Sequence, residues 1–183
     1  MKNASKKLIV FIPSIEDGGV EKNLFLILNY LSLKIRSIKL ITFDKNSANK
    51  INSKIELINP LFNFSFIKGR YFKYIFCLIL LAKIILFSKN YTVLSFQANI
   101  FVIMVSKFLG ISVISRSNSS STGWSKNRFK QLIFFHYLKK ADEVIVNSHK
   151  FKKEMDNRYK INSKCILNPF DFKKIDRNSK AKV

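Results

Sequence analysis

Short apolar runs alternate along this chain with longer segments whose apolar residues recur every three to four positions. Leu8–Ile12 reads LIVFI, a continuous apolar run before Pro13, which is typical of a strand buried on both faces. A loop containing two glycines follows, and from Val20 to Leu33 the apolar residues have helical spacing. This strand, turn and helix is the first unit of a predicted α/β fold.

The same alternation continues to the end of the chain. Strands are predicted at Ile38–Phe43, Ile55–Ile58, Val93–Phe96, Ile111–Ser115, Val144–Val146 and Lys164–Leu167. Helices are predicted at Tyr71–Phe87, Asn99–Leu109, Ser125–Lys140 and Ser148–Arg158, with Gly110 ending the second of them. Because 183 residues are the size of one domain, we expect a single Rossmann-like domain with a doubly wound parallel sheet.

The cysteine pattern and the N-terminal residues indicate the cellular compartment of the protein. Cys77 and Cys165 lie far apart without a C-x-x-C spacing, and the first residues lack the apolar core of a signal peptide. We therefore predict a cytoplasmic protein, with docking on the inner face of the cytoplasmic membrane as a further hypothesis.

The net charge of +22 is unevenly distributed. Lysine makes up 27 of the 33 basic residues, as an A/T-rich genome would produce. No acidic residue lies between Glu56 and Asp142, whereas twelve basic residues do. Such a positive field attracts nucleic acid, anionic lipid headgroups or a phosphorylated substrate, and the sequence does not choose among them.

Two segments combine apolar and basic residues. Tyr71–Phe87 is the most hydrophobic stretch, but it is shorter than the roughly 20 residues of a membrane span and contains Lys73 and Lys83. A helix packed on the sheet is the favoured interpretation. Trp124–Lys140 mixes aromatic and basic residues like an interfacial helix, although a solvated basic face explains it equally well.

The Gly18–Gly19 turn is the first candidate site. It follows the first strand, at the sheet edge where open α/β folds bind ligands. Glycine lets a ligand approach the backbone closely, and a helix N-terminus offers free N–H groups to an anion. A simple turn is an equally good explanation, because neither G-x-G-x-x-G nor a phosphate loop is present.

Five phrases in order resemble the N-terminal domain of family-4-like glycosyltransferases. They are Gly18-Gly19-Val20-Glu21-Lys22, VLSFQAN at 93–99, ISRSN at 114–118, ADEVIVNS at 141–148 and ILNPFD at 166–171. The resemblance covers nearly the whole chain. It implies the N-terminal, acceptor-side half of a GT-B fold.

The resemblance also implies an activity. Such an enzyme transfers a sugar from a nucleotide-sugar donor to a glycan or lipid-linked acceptor in polysaccharide or cell-envelope biosynthesis, with retention of configuration and without a dedicated metal or other cofactor. The implied substrate-binding residues are Gly18, Gly19, Glu21, Lys22, Asn99, Arg116, Asn118 and Ser148. No catalytic group is assigned.

The resemblance further implies a second, donor-binding domain with two glutamates eight positions apart. The glutamates here are Glu16, Glu21, Glu56, Glu143 and Glu154, and they contain no such pair. We expect residues 1–175 to form the acceptor-side domain and residues 176–183 to begin a linker, with the donor domain absent. Truncation, a separately encoded C-terminal domain and a binding-only role all remain open, and we expect no activity from the chain alone.

Physical roles can be suggested for some of these residues. Arg116 and Asn118 are expected just past a strand end, where a guanidinium can grip a phosphate and an amide can hold sugar hydroxyls; a solvated loop arginine is the alternative. Ser148 is expected to cap a helix. Asn168 before Pro169 is expected to form a turn, and His136 and His149 are expected to be structural.

Two rival functions belong to other classes. A nucleic-acid-binding module fits the pI of about 10.1, but arginines are few and no binding motif is present, which disfavours it. A non-catalytic adaptor that binds a membrane surface is the other rival, because a fold does not fix a function.

Overall fold

A computed structural model describes residues 7–15, 18–60, 69–119, 127–170 and 176. The described strands are β1 Lys7–Phe11, β2 Ser37–Ile41, β3 Ile55–Ile58, β4 Tyr91–Ser95, β5 Ser112–Ser117, β6 Glu143–Val146 and β7 Lys164–Cys165. The described helices are α1 Gly19–Leu31, α2 Arg70–Phe87, α3 Asn99–Phe108, α4 Arg128–Leu138 and α5 His149–Tyr159, with a short 3-10 helix at Lys45–Lys50.

The strands form one parallel sheet in the order β3-β2-β1-β4-β5-β6-β7. Phe11 is in register with Ile41 on one side and Ser95 on the other, so the strand order reverses between β1 and β4. This topology confirms the predicted doubly wound, Rossmann-like α/β sheet. In such sheets the crevice at the reversal point is the usual ligand site.

Helices cover the two faces of the sheet unequally. On one face, α2, α3, α4 and α5 pack over a core that includes Phe11, Val93 and Val113. On the other face, α1 packs through Leu24 and Leu28 on Val10, Leu40 and their neighbours. The central strands are therefore buried on both sides, which explains the unbroken apolar run in β1.

Several element ends differ by a few residues from those predicted. β4 begins at Tyr91 because Tyr91 and Thr92 pair with Lys7 and Leu8. β7 ends at Cys165, and β2 ends at Ile41 before the loop that holds Phe43. The predicted start of α4 at Ser125 lies outside the described residues, as do residues 177–183 of the predicted linker.

The predicted helix caps are present. Phe151 N donates to Ser148 Oγ at 3.1 Å, which confirms Ser148 as the N-cap of α5. Gly110 follows α3 with φ of +75°, a left-handed conformation that L side chains rarely adopt. Gly110 therefore ends α3, as the sequence predicted.

The hydrophobic helix α2 lies on the sheet, as predicted. Cys77, Leu81 and Ile85 are fully buried on its inner side. Lys73 Nζ donates to Asp44 Oδ1 at 2.7 Å, and Lys83 is exposed. Within the described residues, no helix is both long and apolar enough to cross a lipid bilayer.

Candidate functional site

A cleft of about 380 Å³ opens at the carboxyl edge of the sheet, between the ends of β4 and β5. Its walls are largely apolar and include Val20, Phe96, Phe101 and Phe134. Asn99, Arg116 and Asn118 supply its polar side. Ligand sites in proteins are commonly apolar clefts with a few convergent polar groups, and this cleft has that composition.

Gln97 joins the two loops at the reversal point of the sheet. Ser14 N donates to Gln97 Oε1 at 3.1 Å, and Gln97 Nε2 donates to Ser14 O at 2.9 Å. The paired bonds hold the loop after β1 against the loop after β4. Gln97 was not predicted as a site residue, although it lies in the VLSFQAN phrase and directly follows a predicted strand.

Asn99 ties β4 and β5 together beneath the cleft. Asn99 Oδ1 accepts from Ser95 Oγ at 2.7 Å, and Asn99 Nδ2 donates to Arg116 O at 3.1 Å. The preceding residue, Ala98, has a left-handed backbone with φ of 54°, which turns the chain into α3. The Asn99 amide is thus engaged within the fold, which suits a residue that positions the cleft wall.

Arg116 lies inside β5 and is 3% exposed, so the expected position past the strand end and the solvated-loop alternative are both wrong. Its Nη2 donates to Ile166 O at 3.2 Å and to Asn168 Oδ1 at 3.0 Å. Its guanidinium carbon lies 6.0 Å from the centre of the Phe96 ring. Arg116 therefore connects the cleft to the segment after β7.

Burial lowers the pKa of the Arg116 guanidinium, against a smaller opposing effect of Cys165. An arginine nevertheless keeps its charge in proteins. Its Nε is buried and has no hydrogen-bond partner among the described residues. The lining of the cleft thus includes a buried cation whose Nε has no partner among the described residues.

Unpaired amide atoms lie beside Arg116. Both polar atoms of the Asn118 side chain and Oδ1 of Asn147 are buried without a partner among the described residues. Asn147 Nδ2 donates to Asn118 O at 3.4 Å, which places the two residues side by side, directly after the ends of β5 and β6. An unpaired buried polar group costs roughly 1–3 kcal/mol, so such a cluster needs an explanation.

The cluster has the chemistry to bind a hydroxylated ligand. An amide both donates and accepts, as a sugar hydroxyl does, and the Arg116 Nε adds a charged donor. Asn118 was a predicted site residue, whereas Asn147 was missed although it lies in the ADEVIVNS phrase next to Ser148. Ser148 itself is engaged in capping α5.

The glycine phrase forms the start of α1. Glu21 is 6% exposed and its Oε2 accepts from Gly18 N at 3.0 Å, so it caps the helix. A Cβ placed on Gly19 would meet nothing within 4 Å, and Lys22 is exposed. Of this phrase, Val20 lines the cleft. Gly18 and Glu21 therefore form the N-terminal cap of α1.

Potential metal ligands and the histidine and cysteine side chains in the described part of the chain are the other candidates for a reactive site. No group of three His, Cys, Asp or Glu side chains there could hold a metal ion. His136 and His149 are both exposed, and the His136 ring lies 5.1 Å from the ring of Tyr137. Burial, as the largest influence, raises the pKa of the Cys77 thiol to about 12, so this cysteine is not a nucleophile.

Solved structures of GT-B glycosyltransferases match this fold. Anabaena HepE in complex with UDP matches with a TM-score of 0.65 and 12% identity over 96% of this chain and 50% of that chain. A Rickettsia africae glycosyltransferase matches with a TM-score of 0.63 and 17% identity over 98% and 50%. The chain has a Rossmann-like fold that matches about half of each of these structures.

A more distant match has the same proportions. Glycyrrhiza uralensis UGT73P12, complexed with glycyrrhetinic acid 3-O-monoglucuronide, matches with a TM-score of 0.59 and 10% identity over 88% of this chain and 48% of that chain. The chain thus spans about half the length of these structures. By sequence, no family model and no curated protein matches it.

Proposed function

We propose that this chain is the acceptor-side half of a family-4-like GT-B glycosyltransferase. The enzyme would transfer a sugar from a nucleotide-sugar donor to a glycan or lipid-linked acceptor in polysaccharide or cell-envelope biosynthesis. The observation that carries the proposal is the polar cluster of Arg116, Asn118 and Asn147, which lacks partners within the described residues and borders an apolar cleft in half of a GT-B fold. The five family-like phrases also support it, and two of them contain the residues of this cluster.

In this proposal, one half of the fold binds the acceptor and the other half binds the donor. Asn118 and Asn147 would hold acceptor hydroxyls, and Phe96, Phe101 and Phe134 would contact the apolar part of the acceptor. Gln97 and Asn99 would keep the loops in place through the bonds described above. The second half of the fold, on the same or a separate polypeptide, would bind the donor.

The proposed transfer is a substitution at the anomeric carbon of the donor sugar. An acceptor hydroxyl oxygen forms a bond to that carbon while the bond from the carbon to the nucleotide diphosphate breaks, and the hydroxyl proton leaves with the diphosphate. The family resemblance favours retention of configuration and no dedicated metal. Positioning of the acceptor hydroxyl is the contribution of this chain, because alignment of two reactants alone lowers a barrier substantially.

Nuclear magnetic resonance of the labelled chain tests acceptor binding. We would titrate mono- and disaccharides, free and linked to a short prenyl diphosphate, and follow the side-chain amides. Shifts concentrated at Asn118 and Asn147, which are lost in Asn118→Ala but kept in Asn157→Ala on the exposed side of α5, would support the proposal. Shifts elsewhere, or none with any sugar, would argue against it.

A further inference from the structure

Helices α2, α3 and α4 present large apolar side chains on their outer surfaces. We name this surface the apolar helical face and define it by Tyr71, Ile75, Ile79, Phe101, Phe129 and Leu132. Each of these side chains is between 52% and 79% exposed. Single exposed apolar residues are common, but a connected group of them usually marks a binding surface.

The helix period explains why these residues share one surface. In α2, Cys77, Leu81 and Ile85 point into the core, and Ile75 and Ile79 fall on the opposite side of the helix. α3 packs against both α2 and α4, so the outer sides of the three helices are neighbours. The apolar helical face therefore spans three neighbouring helices.

The charged residues around the apolar helical face are mostly basic, which favours a negatively charged binding partner. No acidic residue occurs from position 57 to position 141, which includes all three helices. The acids that border this range are both paired, Glu56 with Lys39 at 2.6 Å and Asp142 with Lys107 at 2.5 Å. Asp44, which contacts α2, pairs with Lys73 at 2.7 Å. Lys83, Arg128 and Lys130 are exposed around the face.

A second copy of the chain fits this surface poorly. Pairing the face with itself would bring two uncompensated positive fields together, and like charges at an interface are strongly unfavourable. An anionic lipid surface satisfies both features, since its headgroups attract lysine and arginine while its acyl boundary accepts aromatic and aliphatic side chains.

We propose that the apolar helical face docks on an anionic lipid bilayer. Tyr71, Ile79 and Phe129 then insert at the boundary between headgroups and acyl chains, while Lys83, Arg128 and Lys130 contact the headgroups. This docking does not depend on any glycosyltransferase activity.

Docking also bears on the acceptor. Phe101 belongs to the apolar helical face and also lines the cleft, so the cleft adjoins the docked surface. A substrate with an apolar chain in the bilayer could place its polar head beside Asn118. This consequence rests on the proposed function, and it favours a lipid-linked acceptor over a free glycan.

Vesicle flotation of the full chain, without donor or acceptor, tests the docking. Tyr71→Ser/Ile79→Ser should lower the partition coefficient on anionic vesicles of phosphatidylcholine and phosphatidylglycerol about tenfold or more, through lost apolar contact. The matched control is Tyr30→Ser/Leu33→Ser, which changes equally exposed residues of α1 and its end, on the other side of the sheet. Thermal unfolding of each variant checks that it folds.

A second double substitution tests the contribution of the basic residues to vesicle binding. Arg128→Gln/Lys130→Gln should lower binding to anionic vesicles about tenfold and leave binding to pure phosphatidylcholine unchanged. Its control, Lys34→Gln/Arg36→Gln, removes two charges as well, from exposed residues in the loop between α1 and β2. The proposal would be overturned if variant and control lost vesicle binding equally, or if the wild-type chain bound no vesicles. It would also be overturned if the chain formed a dimer that Tyr71→Ser/Ile79→Ser dissociates. Such results would leave acceptor binding in solution untouched.

Discussion

Two asparagines of the cleft differ in whether the fold uses their side chains. Asn99 has a partner for both ends of its amide, whereas both ends of the Asn118 amide lack one among the described residues. The first arrangement stabilises the folded chain. The second is typical of a residue whose partners arrive with a ligand, and functional residues often reduce stability for this reason.

Substitution by alanine should therefore lower the stability of the fold at Asn99 but not at Asn118. Asn99→Ala removes the hydrogen bonds between the Asn99 amide and Ser95 Oγ and Arg116 O, and should lower the free energy of unfolding by about 1–3 kcal/mol. Asn118→Ala removes an unpaired amide and should change it by less than about 0.5 kcal/mol, or raise it. Urea unfolding measures both. An equal loss in the two variants would mean that the Asn118 amide is satisfied within the fold.

At the scale of elements, two glycines at helix ends allow the effect of backbone conformation on stability to be measured without any effect of close packing. Gly19 begins α1 and Gly110 follows α3, and an added Cβ would meet no atom within 4 Å at either position. Only Gly110 has a positive φ, of +75°. Any difference between alanine substitutions at these positions must therefore arise from the backbone.

Gly110→Ala should lower the free energy of unfolding by about 1–2 kcal/mol, because alanine is strained in the left-handed region. Gly19→Ala should raise it by up to about 1 kcal/mol, since alanine favours the helix and restricts the unfolded chain. Chemical unfolding of both variants provides the measurement. Destabilisation by Gly19→Ala would indicate that this glycine is needed for a close backbone contact.

Asp142 connects α3 to two strands and makes the fold sensitive to acid. Burial acts to raise the pKa of Asp142, but the hydrogen bonds from Lys107 Nζ and Val113 N outweigh it and lower the pKa below 3.8. A carboxyl with a lowered folded-state pKa contributes stability above its unfolded pKa. That contribution is lost as the pH falls through the folded pKa.

Asp142→Asn tests this linkage while keeping an acceptor for Val113 N. The stability difference between wild type and variant should be constant above about pH 5 and shrink as the pH falls below about 4. Urea unfolding across this range measures it. A difference that persists unchanged at the lowest pH would show that the charge of Asp142 does not stabilise the fold.

These elements also show what the sequence could reveal. Patterning placed β1 through its continuous apolar run, because a strand buried on both faces has no polar side, and it placed α1 through the helical spacing of its apolar residues. It misplaced Arg116, because a charged residue in a run of short residues looks like a loop. Gln97 and Asn147 were missed since their partners, Ser14 and Asn118, are 83 and 29 residues away and become neighbours only in the folded sheet.

At the scale of the whole molecule, the net charge of +22 acts on both stability and binding. The basic residues outnumber the acidic ones threefold, 33 to 11, so even with every acid paired most positive charges repel one another. Self-repulsion of this kind opposes the compact state and weakens as salt shortens the range of the field. The same field would bind any polyanion at low salt, which makes nucleic-acid binding there uninformative.

Added salt should therefore stabilise this chain. Raising sodium chloride from about 0.01 M to 0.5 M shortens the screening length from about 30 Å to less than 10 Å, and the melting temperature should rise by several degrees. Sucrose of equal osmolarity is the control for excluded-volume effects. If the melting temperature were unchanged, the positive charges would have to be spread too widely to repel, and the field around α2, α3 and α4 that favours an anionic surface would be weak.

Association with a DNA duplex should fall over the same salt range with a steep logarithmic slope, while binding of an uncharged sugar in the cleft should stay constant, because a hydroxylated ligand releases no counterions.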